Sequence, residues 1–168
     1  MNREILFKAR TTKKHNEKHA FDNVWVEGDL IRSGGKYYIH PTGNKVNVDG
    51  ELGKIIVMHE IDLDTLCQYT GLTDKNGKKI WENDILRGHG NDSDLAKVVF
   101  GKFDVIDVDT LEVVDSAAGW HTEVIATDAL SKCEPFCLPM PLTDFYIKRC
   151  EYEVFGNIFD DSKLLEVE

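Results

Sequence analysis

The segment most informative about the fold is QYTGLTDKNGKKIWENDIL, residues 68–86. Asn76 and Gly77 lie at its centre, and this dipeptide supplies the positive φ angles that a tight turn demands. Charged residues keep the tip of the turn in water, and apolar residues follow as anchors for a sheet: Asp74, Lys75, Lys78 and Lys79, then Ile80, Trp81, Ile85 and Leu86. Glu82 and Asp84 can accept hydrogen bonds from backbone N–H groups at the turn. Turn chemistry therefore accounts for every residue of the segment as part of a folding device.

Short alternating or β-branched runs recur on both sides of this segment and predict strands. The predicted strands are Ile5–Ala9, Val24–Arg32, Lys36–His40, Lys54–Glu60, Ile85–Arg87, Lys97–Phe100, Val105–Val108, Glu123–Ala126 and Arg149–Phe155. Ser33-Gly34-Gly35 predicts a hairpin. Helical signals are limited to one or two turns at Asp128–Cys133 and a C-terminal turn after Asp160. The pattern predicts a mainly β fold, a small curled sheet or barrel-like domain with few short helical turns, with α+β as the alternative.

Length and composition fit one globular domain over residues 1–168, since 42% of the residues are hydrophobic and 30% are charged. Residues 11–20 are almost wholly polar and predict a mobile loop. No run approaches the ~20 apolar residues of a membrane helix, and the N-terminus lacks the pattern of a signal peptide. We therefore expect a cytoplasmic protein without a membrane partner. Four reduced cysteines are expected in that compartment, Cys67, Cys133, Cys137 and Cys150.

The formal net charge of −10 is unevenly distributed. Residues 1–20 contain six basic and two acidic side chains, so this N-terminal segment carries +4 and the remainder of the chain carries −14. An acidic body repels phosphate, which disfavours broad nucleic-acid binding by the main domain. The basic arm, residues 8–18, is the part of the chain that could contact nucleic acid.

Four blocks, in order, resemble the YopX family of phage and prophage proteins. The segment 68–86 is similar to the family's core pattern, and Arg3–Ala9 and Trp25–Gly28 are similar to its N-terminal strand and its WVEG element. Val154–Phe159, followed by Leu164-Leu165, is similar to its C-terminal element. The residues of the core and C-terminal blocks that carry the match are Gln68, Tyr69, Thr70, Gly71, Leu72, Asp74, Asn76, Gly77, Trp81, Glu82, Asp84, Ile85, Gly156 and Asn157.

Two departures from the family pattern affect what the resemblance implies. Asn83 stands where the family usually has glycine, and asparagine tolerates left-handed backbone geometry, so we expect the turn to be retained. Residues 103–145 match no family pattern and are predicted to be a variable insert. The resemblance implies a phage or prophage setting inside a bacterial host cell, with no established enzyme activity, cofactor or catalytic residue.

Three patterns could carry chemistry, and each has a simpler structural explanation. Cys133 and Cys137 are spaced like one half of a zinc site, but such sites usually bring two pairs, so free thiols are favoured. A run of carboxylates could hold Mg²⁺, although exposed acids on a charged hairpin explain it as well: Asp104, Asp107, Asp109, Glu112 and Asp115. His89, in Gly88-His89-Gly90-Asn91-Asp92, is most simply a hairpin tip. We assign no catalytic, cofactor-binding or metal-binding residue.

Three functions remain open from the sequence. The leading hypothesis is a non-enzymatic accessory protein that binds another protein of the host or the phage. The second is a small nucleic-acid-binding β domain that uses the basic arm, residues 8–18. The third is a metal-dependent enzyme centred on the carboxylates of 104–115 or on the cysteines. Self-association is open in each case because a β protein with many strand edges often pairs.

Overall fold

Strands dominate the part of the chain that the computed structural model describes, residues 4–12, 23–41, 58–107 and 109–161. The strands are β1 Phe7–Arg10, β2 Trp25–Ser33, β3 Lys36–Pro41, β4 His59–Glu60, β5 Cys67–Thr73, β6 Lys79–Trp81, β7 Asp84–Arg87, β8 Leu95–Ile106, β9 Val113–Ile125, β10 Met140–Pro141 and β11 Glu153–Asn157. One α-helix, α1 Asp144–Arg149, and one 3₁₀ turn, Leu63–Thr65, complete the elements of these ranges. The prediction of a mainly β fold with few helical turns is confirmed.

The strands form two antiparallel sheets, neither of which closes into a barrel. One sheet has the order β4-β3-β2-β1-β5-β6, and the other has the order β10-β9-β8-β7-β11. The chain divides into two compact units, residues 1–69 and 70–168, with the boundary inside β5. Compactness does not show that a unit folds independently, so the single domain over residues 1–168 stays a prediction.

The first unit is organised by the hairpin of β2 and β3. Gly34 and Gly35 have φ angles of +59° and +80°, the two positive values of the hairpin turn that matches strand twist. The predicted hairpin at Ser33-Gly34-Gly35 is therefore confirmed. Buried Ala9, Ile39 and Ile61 form the small core of this unit.

The second unit is built around two long paired strands, β8 and β9. Leu95 pairs with Ile125 at the base, and pairing continues out to Val105 and Asp115. At the base, β7 and β11 extend the sheet, and helix α1 contributes Ile147 to the core. Residues Ile80, Leu86, Val98, Leu142, Ile147 and Tyr152 form that core. Beyond Lys97, β8 has no further β7 partner, and beyond His121 towards the hairpin tip, β9 has no β10 partner. The outer part of the β8–β9 hairpin therefore extends past the sheet.

Several element boundaries differ from the predictions because long-range pairing overrides local pattern. Lys97–Phe100 and Val105–Ile106 belong to one strand, β8, since pairing with β9 carries the chain through Gly101. The predicted strand Glu123–Ala126 is only the end of β9, which begins at Val113. Strands β5 and β6 were not predicted.

The prediction of a strand over Arg149–Phe155 is partly wrong, because residues 144–149 form α1 and β11 begins at Glu153. Thr143 caps this helix by accepting a hydrogen bond from the Tyr146 N–H. The segment Asp128–Cys133 forms hydrogen-bonded turns rather than helix. Of the predicted strand Lys54–Glu60, residues 54–57 lie outside the described residues, as do 13–20 of the predicted loop 11–20, Val108, and the C-terminal turn from Ser162 onward.

Candidate functional site

Asp74 organises the turn at the centre of the 68–86 segment. Its carboxylate is buried, and Oδ1 accepts hydrogen bonds from the backbone N–H groups of Asn76 and Lys78 at 2.8 and 2.9 Å. Oδ2 accepts a third, from the Val154 N–H at 2.9 Å, which ties the turn to β11. Gly77 has a φ of +80°, whereas Asn76 has no positive φ, so only half of the positive-φ prediction for this pair is correct.

A second buried carboxylate, Asp84, holds the turn between β6 and β7. Its Oδ2 accepts a hydrogen bond from the Trp81 N–H at 2.8 Å, as predicted for this position, and its Oδ1 accepts one from Asn157 Nδ2 at 2.9 Å. Asn83 has a φ of +64°, so it adopts the left-handed geometry expected where the family has glycine. A Cβ at Gly156 would lie 2.3 Å from Asp161 Oδ2, so any other residue there requires the Asp161 side chain to move.

The remaining residues of the 68–86 pattern also support the backbone or the core. Thr70 donates a hydrogen bond through Oγ1 to the Ile80 carbonyl at 2.8 Å, and Gly71 has a φ of +85°. Tyr69, Trp81 and Ile85 are buried, whereas Gln68, Leu72 and Glu82 are half-buried. The pattern residues are therefore placed to build strands and turns.

An apolar groove with a cavity volume of about 570 Å³ lies on the second unit. One wall is the outer β8–β9 hairpin, through residues 103–106 and Leu111. The opposite wall is the loop over residues 128–141, and the floor includes Ala96, Val124 and Tyr146. Most of the lining side chains are apolar or aromatic, which is the composition typical of a binding site.

The hairpin wall ends in a turn that Asp107 stabilises. Its Oδ1 accepts hydrogen bonds from the N–H groups of Thr110 and Asp109 at 3.0 and 2.9 Å, and these bonds lower the pKa of the Asp107 carboxyl group. Leu111 follows with a φ of +58°, and its side chain remains 41% exposed where it lines the groove. All five carboxylates of the 104–115 run are exposed, as predicted for a charged hairpin.

The loop wall presents two large apolar side chains to the groove. Leu130 is 57% exposed and Phe136 is 56% exposed. Asp128 shapes the start of the loop, since its Oδ1 accepts a hydrogen bond from the Ser131 N–H at 2.8 Å, which lowers the pKa of its carboxyl group. Cys133 is exposed and Cys137 is half-buried, both free, so this pair does not fill the core.

The floor carries a polar cluster at one end, formed by His89, Asp94, Cys150 and Tyr152. His89 Nδ1 lies 3.0 Å from Asp94 Oδ2, and the His89 N–H donates to the Cys150 carbonyl at 2.8 Å. Burial raises the pKa of the Cys150 thiol, and burial beside Cys150 also raises the pKa of the Tyr152 hydroxyl. Nucleophilic cysteines usually have a lowered thiol pKa. The raised pKa of Cys150 therefore does not favour this thiol as a nucleophile.

The other patterns singled out in the sequence do not converge on a site. Within residues 4–12, 23–41, 58–107 and 109–161, no three His, Cys, Asp or Glu side chains are arranged to hold a metal ion. Trp25 contacts two basic side chains. Lys8 and Arg10 lie 5.2 and 5.4 Å from its ring centroid, contacts made across paired strands.

The groove was missed in the sequence because its walls come from distant parts of the chain. The exposed apolar residues Leu130 and Phe136 resemble ordinary loop residues until the hairpin is placed opposite them. One local signal was present, since Leu111 follows Asp109-Thr110 at a hairpin tip, where polar residues or glycine are usual. No helix in the described ranges has the length and apolar character needed to cross a bilayer.

The chain is thus an antiparallel β protein whose sheets are not closed into a barrel, with an apolar groove on its second unit. The family model described as YopX protein matches residues 15–166, so the chain belongs to the YopX family. A search of curated proteins gave no match.

Proposed function

We propose that this protein is a non-enzymatic phage or prophage accessory protein that acts in the bacterial cytoplasm by binding another protein. The docking surface is the groove on the second unit. The observation that carries the proposal is the exposure of large apolar side chains along both walls, at Leu111, Leu130 and Phe136. Contiguous apolar surface of this kind is costly in water and usually marks a site that a partner covers.

A polypeptide fits this surface better than a small molecule would. The three apolar side chains at the walls are each 41–57% exposed, so the groove is lined at its rim as well as at its floor by apolar groups. A small ligand would cover the floor and leave the rim in water, whereas a protein segment can cover both. Apolar anchors at the centre of a contact supply most of its binding free energy.

The backbone at Leu111 supports a role for its side chain. A left-handed conformation costs a non-glycine residue about 1–2 kcal/mol, and Asn or Gly adopts it more readily than Leu. Leu111 adopts this conformation at the end of the hairpin turn, where its N–H donates a hydrogen bond to the Asp107 carbonyl at 2.8 Å. Strained residues of this type concentrate at functional surfaces, and here the residue lines the groove.

The test is affinity capture from a bacterial lysate with three forms of the full-length protein. The wild type is compared with the double variant Leu111→Asn, Phe136→Ser and with the control Val114→Asn. Val114 is 62% exposed on the same hairpin and does not line the groove. Captures are treated with nuclease, repeated at two salt concentrations and analysed by mass spectrometry.

A protein retained by the wild type and by Val114→Asn, but lost with the double variant, is the expected result. Equal retention by all three forms would place binding away from the groove and would contradict the proposal. Retention of nucleic acid alone in a parallel capture without nuclease, lost at the higher salt, would also contradict it.

A second candidate function, nucleic-acid binding through the basic arm, is favoured by one observation. The described end of that arm places Lys8 and Arg10 against the half-buried Trp25, and cationic groups beside an aromatic ring are common in single-strand binding surfaces. Neutralising Lys13, Lys14 and Lys18 to Gln should then remove a salt-sensitive affinity for a single-stranded oligonucleotide. Affinity that is unchanged in this variant would argue against the arm.

A further inference from the structure

We infer that the occupant of the groove is a segment of a partner protein in which apolar side chains are accompanied by Lys or Arg. This inference rests on the proposed function, since it names the chemistry of the partner at the same groove. Two observations support it: the ionisable residues that line the groove are mainly acidic, and their carboxylates have oxygens that can still accept hydrogen bonds.

The ionisable groups at the groove are predominantly acidic. Asp94, Asp104 and Asp128 line it together with His89, and no Lys or Arg is among the described residues of the lining. Lys132 lowers the pKa of Asp128 slightly, as the smallest of several causes, but it is not part of the lining. A segment that enters the groove therefore meets carboxylates beside apolar surface.

The three carboxylates differ in how far their own turn or neighbour already engages them. Asp128 is engaged by Ser131 and Leu130 within its own turn. Among the described residues, the side-chain partner of the Asp94 carboxylate is His89, whose Nδ1 lies 3.0 Å from Oδ2. The Asp94 side chain is 42% exposed, so its Oδ1 can accept a hydrogen bond from a cationic group. Asp104 is exposed on the hairpin wall, and its carboxylate has no hydrogen bond to another described residue. An ammonium or guanidinium group between these walls would form charge-assisted hydrogen bonds.

The same charges disfavour two other occupants. Residues 21–168 of a second copy carry −14, so this part of the chain would bring mostly like charge to the groove, and the basic residues 1–20 are almost wholly polar over 11–20. A nucleic-acid phosphate would be repelled by Asp94 and Asp104 at close range. A basic apolar segment is the occupant that both features of the lining favour.

The experiment selects peptides from a random-peptide display library on the full-length protein and measures affinity for the enriched peptides after synthesis. Three single variants are compared with the wild type: Asp94→Asn, Asp104→Asn and the control Asp115→Asn. Asp115 is an exposed carboxylate of the same hairpin that does not line the groove, so it gives the same change of net charge. The Leu111→Asn, Phe136→Ser variant reports whether a peptide binds in the groove.

We expect the enriched peptides to combine apolar residues with Lys or Arg and to lose affinity with the groove double variant. Asp94→Asn and Asp104→Asn should each weaken them by about 1.5- to 5-fold, the range for one exposed ion pair, and Asp115→Asn should weaken them less. Groove-dependent peptides that are neutral or acidic would overturn the inference on charge while leaving the proposed function intact. A selection that yields no groove-dependent peptide would overturn both.

Discussion

At the scale of single residues, Asp74 is the side chain on which most local structure depends. Its buried carboxylate accepts three backbone N–H groups from two different segments, those of Asn76, Lys78 and Val154. Asp74→Ala would remove these three hydrogen bonds, but Asn76 and Lys78 are exposed, so water can replace the carboxylate at two of the donors. The half-buried Val154 N–H loses its partner, at a cost of about 1–3 kcal/mol. We expect a loss of about 1–3 kcal/mol in the free energy of unfolding, measured by urea denaturation.

Asp104→Ala is the matched control for this prediction, since it removes an exposed carboxylate from the same unit. Its effect should stay within about 0.5 kcal/mol, as for ordinary surface substitutions. A comparable loss in both variants would show that charge, and not the three hydrogen bonds, accounts for the effect.

Asn83 gives a second prediction at this scale. Its φ of +64° places it in the region where a side chain with a Cβ is disfavoured. Asn83→Ala and Asn83→Gly both remove the amide, so the difference between them isolates the backbone term. We expect the Gly variant to be more stable than the Ala variant by about 1 kcal/mol in thermal or urea unfolding. Equal stabilities would contradict the left-handed geometry at this turn.

At the scale of secondary-structure elements, the pairing of β7 with β11 is reinforced by a charged cluster. Glu153 Oε1 accepts hydrogen bonds from Arg87 Nε and Nη2 at 2.8 and 2.5 Å, and Glu153 Oε2 lies 3.2 Å from Lys75 Nζ. These bonds, first from Arg87 and then from Lys75, lower the pKa of the Glu153 carboxyl group below its usual 4.5. Because the folded-state pKa is the lower one, the contribution to stability is present above the unfolded-state value and is lost as pH falls through the folded-state value.

The resulting prediction concerns the acid limb of the stability profile. The wild type should lose stability on acidification below about pH 4.5 more steeply than Glu153→Gln, and at neutral pH the Gln variant should be the less stable protein. Urea unfolding midpoints across that pH range measure both effects. Parallel profiles for the two proteins would show that Glu153 is not linked to folding through this cluster.

The outer β8–β9 hairpin yields a prediction in which stability and binding separate. Leu111→Asn relieves left-handed strain, so it should leave the free energy of unfolding unchanged or raise it by up to about 1 kcal/mol. The same substitution removes an apolar contact from the groove and should weaken the binding of the partner protein. A variant that loses both stability and binding would indicate a packing role for Leu111 within the hairpin.

At the scale of the whole molecule, the net charge of −10 should govern how fast a basic partner arrives. Raising ionic strength from about 0.01 to about 0.15 M shortens the screening length from about 30 to about 8 Å. The association rate constant for a groove-binding basic peptide should then fall on the order of tenfold, with a smaller change in the dissociation rate constant. Stopped-flow or surface-based kinetics measure both.

A peptide of the same sequence with Gln in place of its Lys and Arg residues is the control for steering. Its association rate should depend little on salt, because it lacks the charge on which the field acts. An equal salt dependence of the association rate constants of both peptides would show that attraction between the acidic protein and the basic peptide does not cause it.

The sequence by itself determined the features that depend on a few neighbouring residues. The hairpin at Gly34-Gly35, the tolerance of Asn83 for a positive φ and the backbone contact of Asp84 were all predictable, because each follows from the conformational range or hydrogen-bonding capacity of one side chain. The mainly β class and the YopX resemblance were also readable from the sequence.

Only the tertiary structure decided the length of β8 and β9, the helix at Asp144–Arg149 and the groove. Thr143 and Asp144 did offer a local capping signal for that helix, whereas the groove offered almost none. Its walls, residues 103–106 with Leu111 and the loop of residues 128–141, are brought together because β10 pairs with β9 and β9 pairs with β8. Long-range pairing determines which apolar side chains are covered and which stay exposed, and no local pattern contains that information.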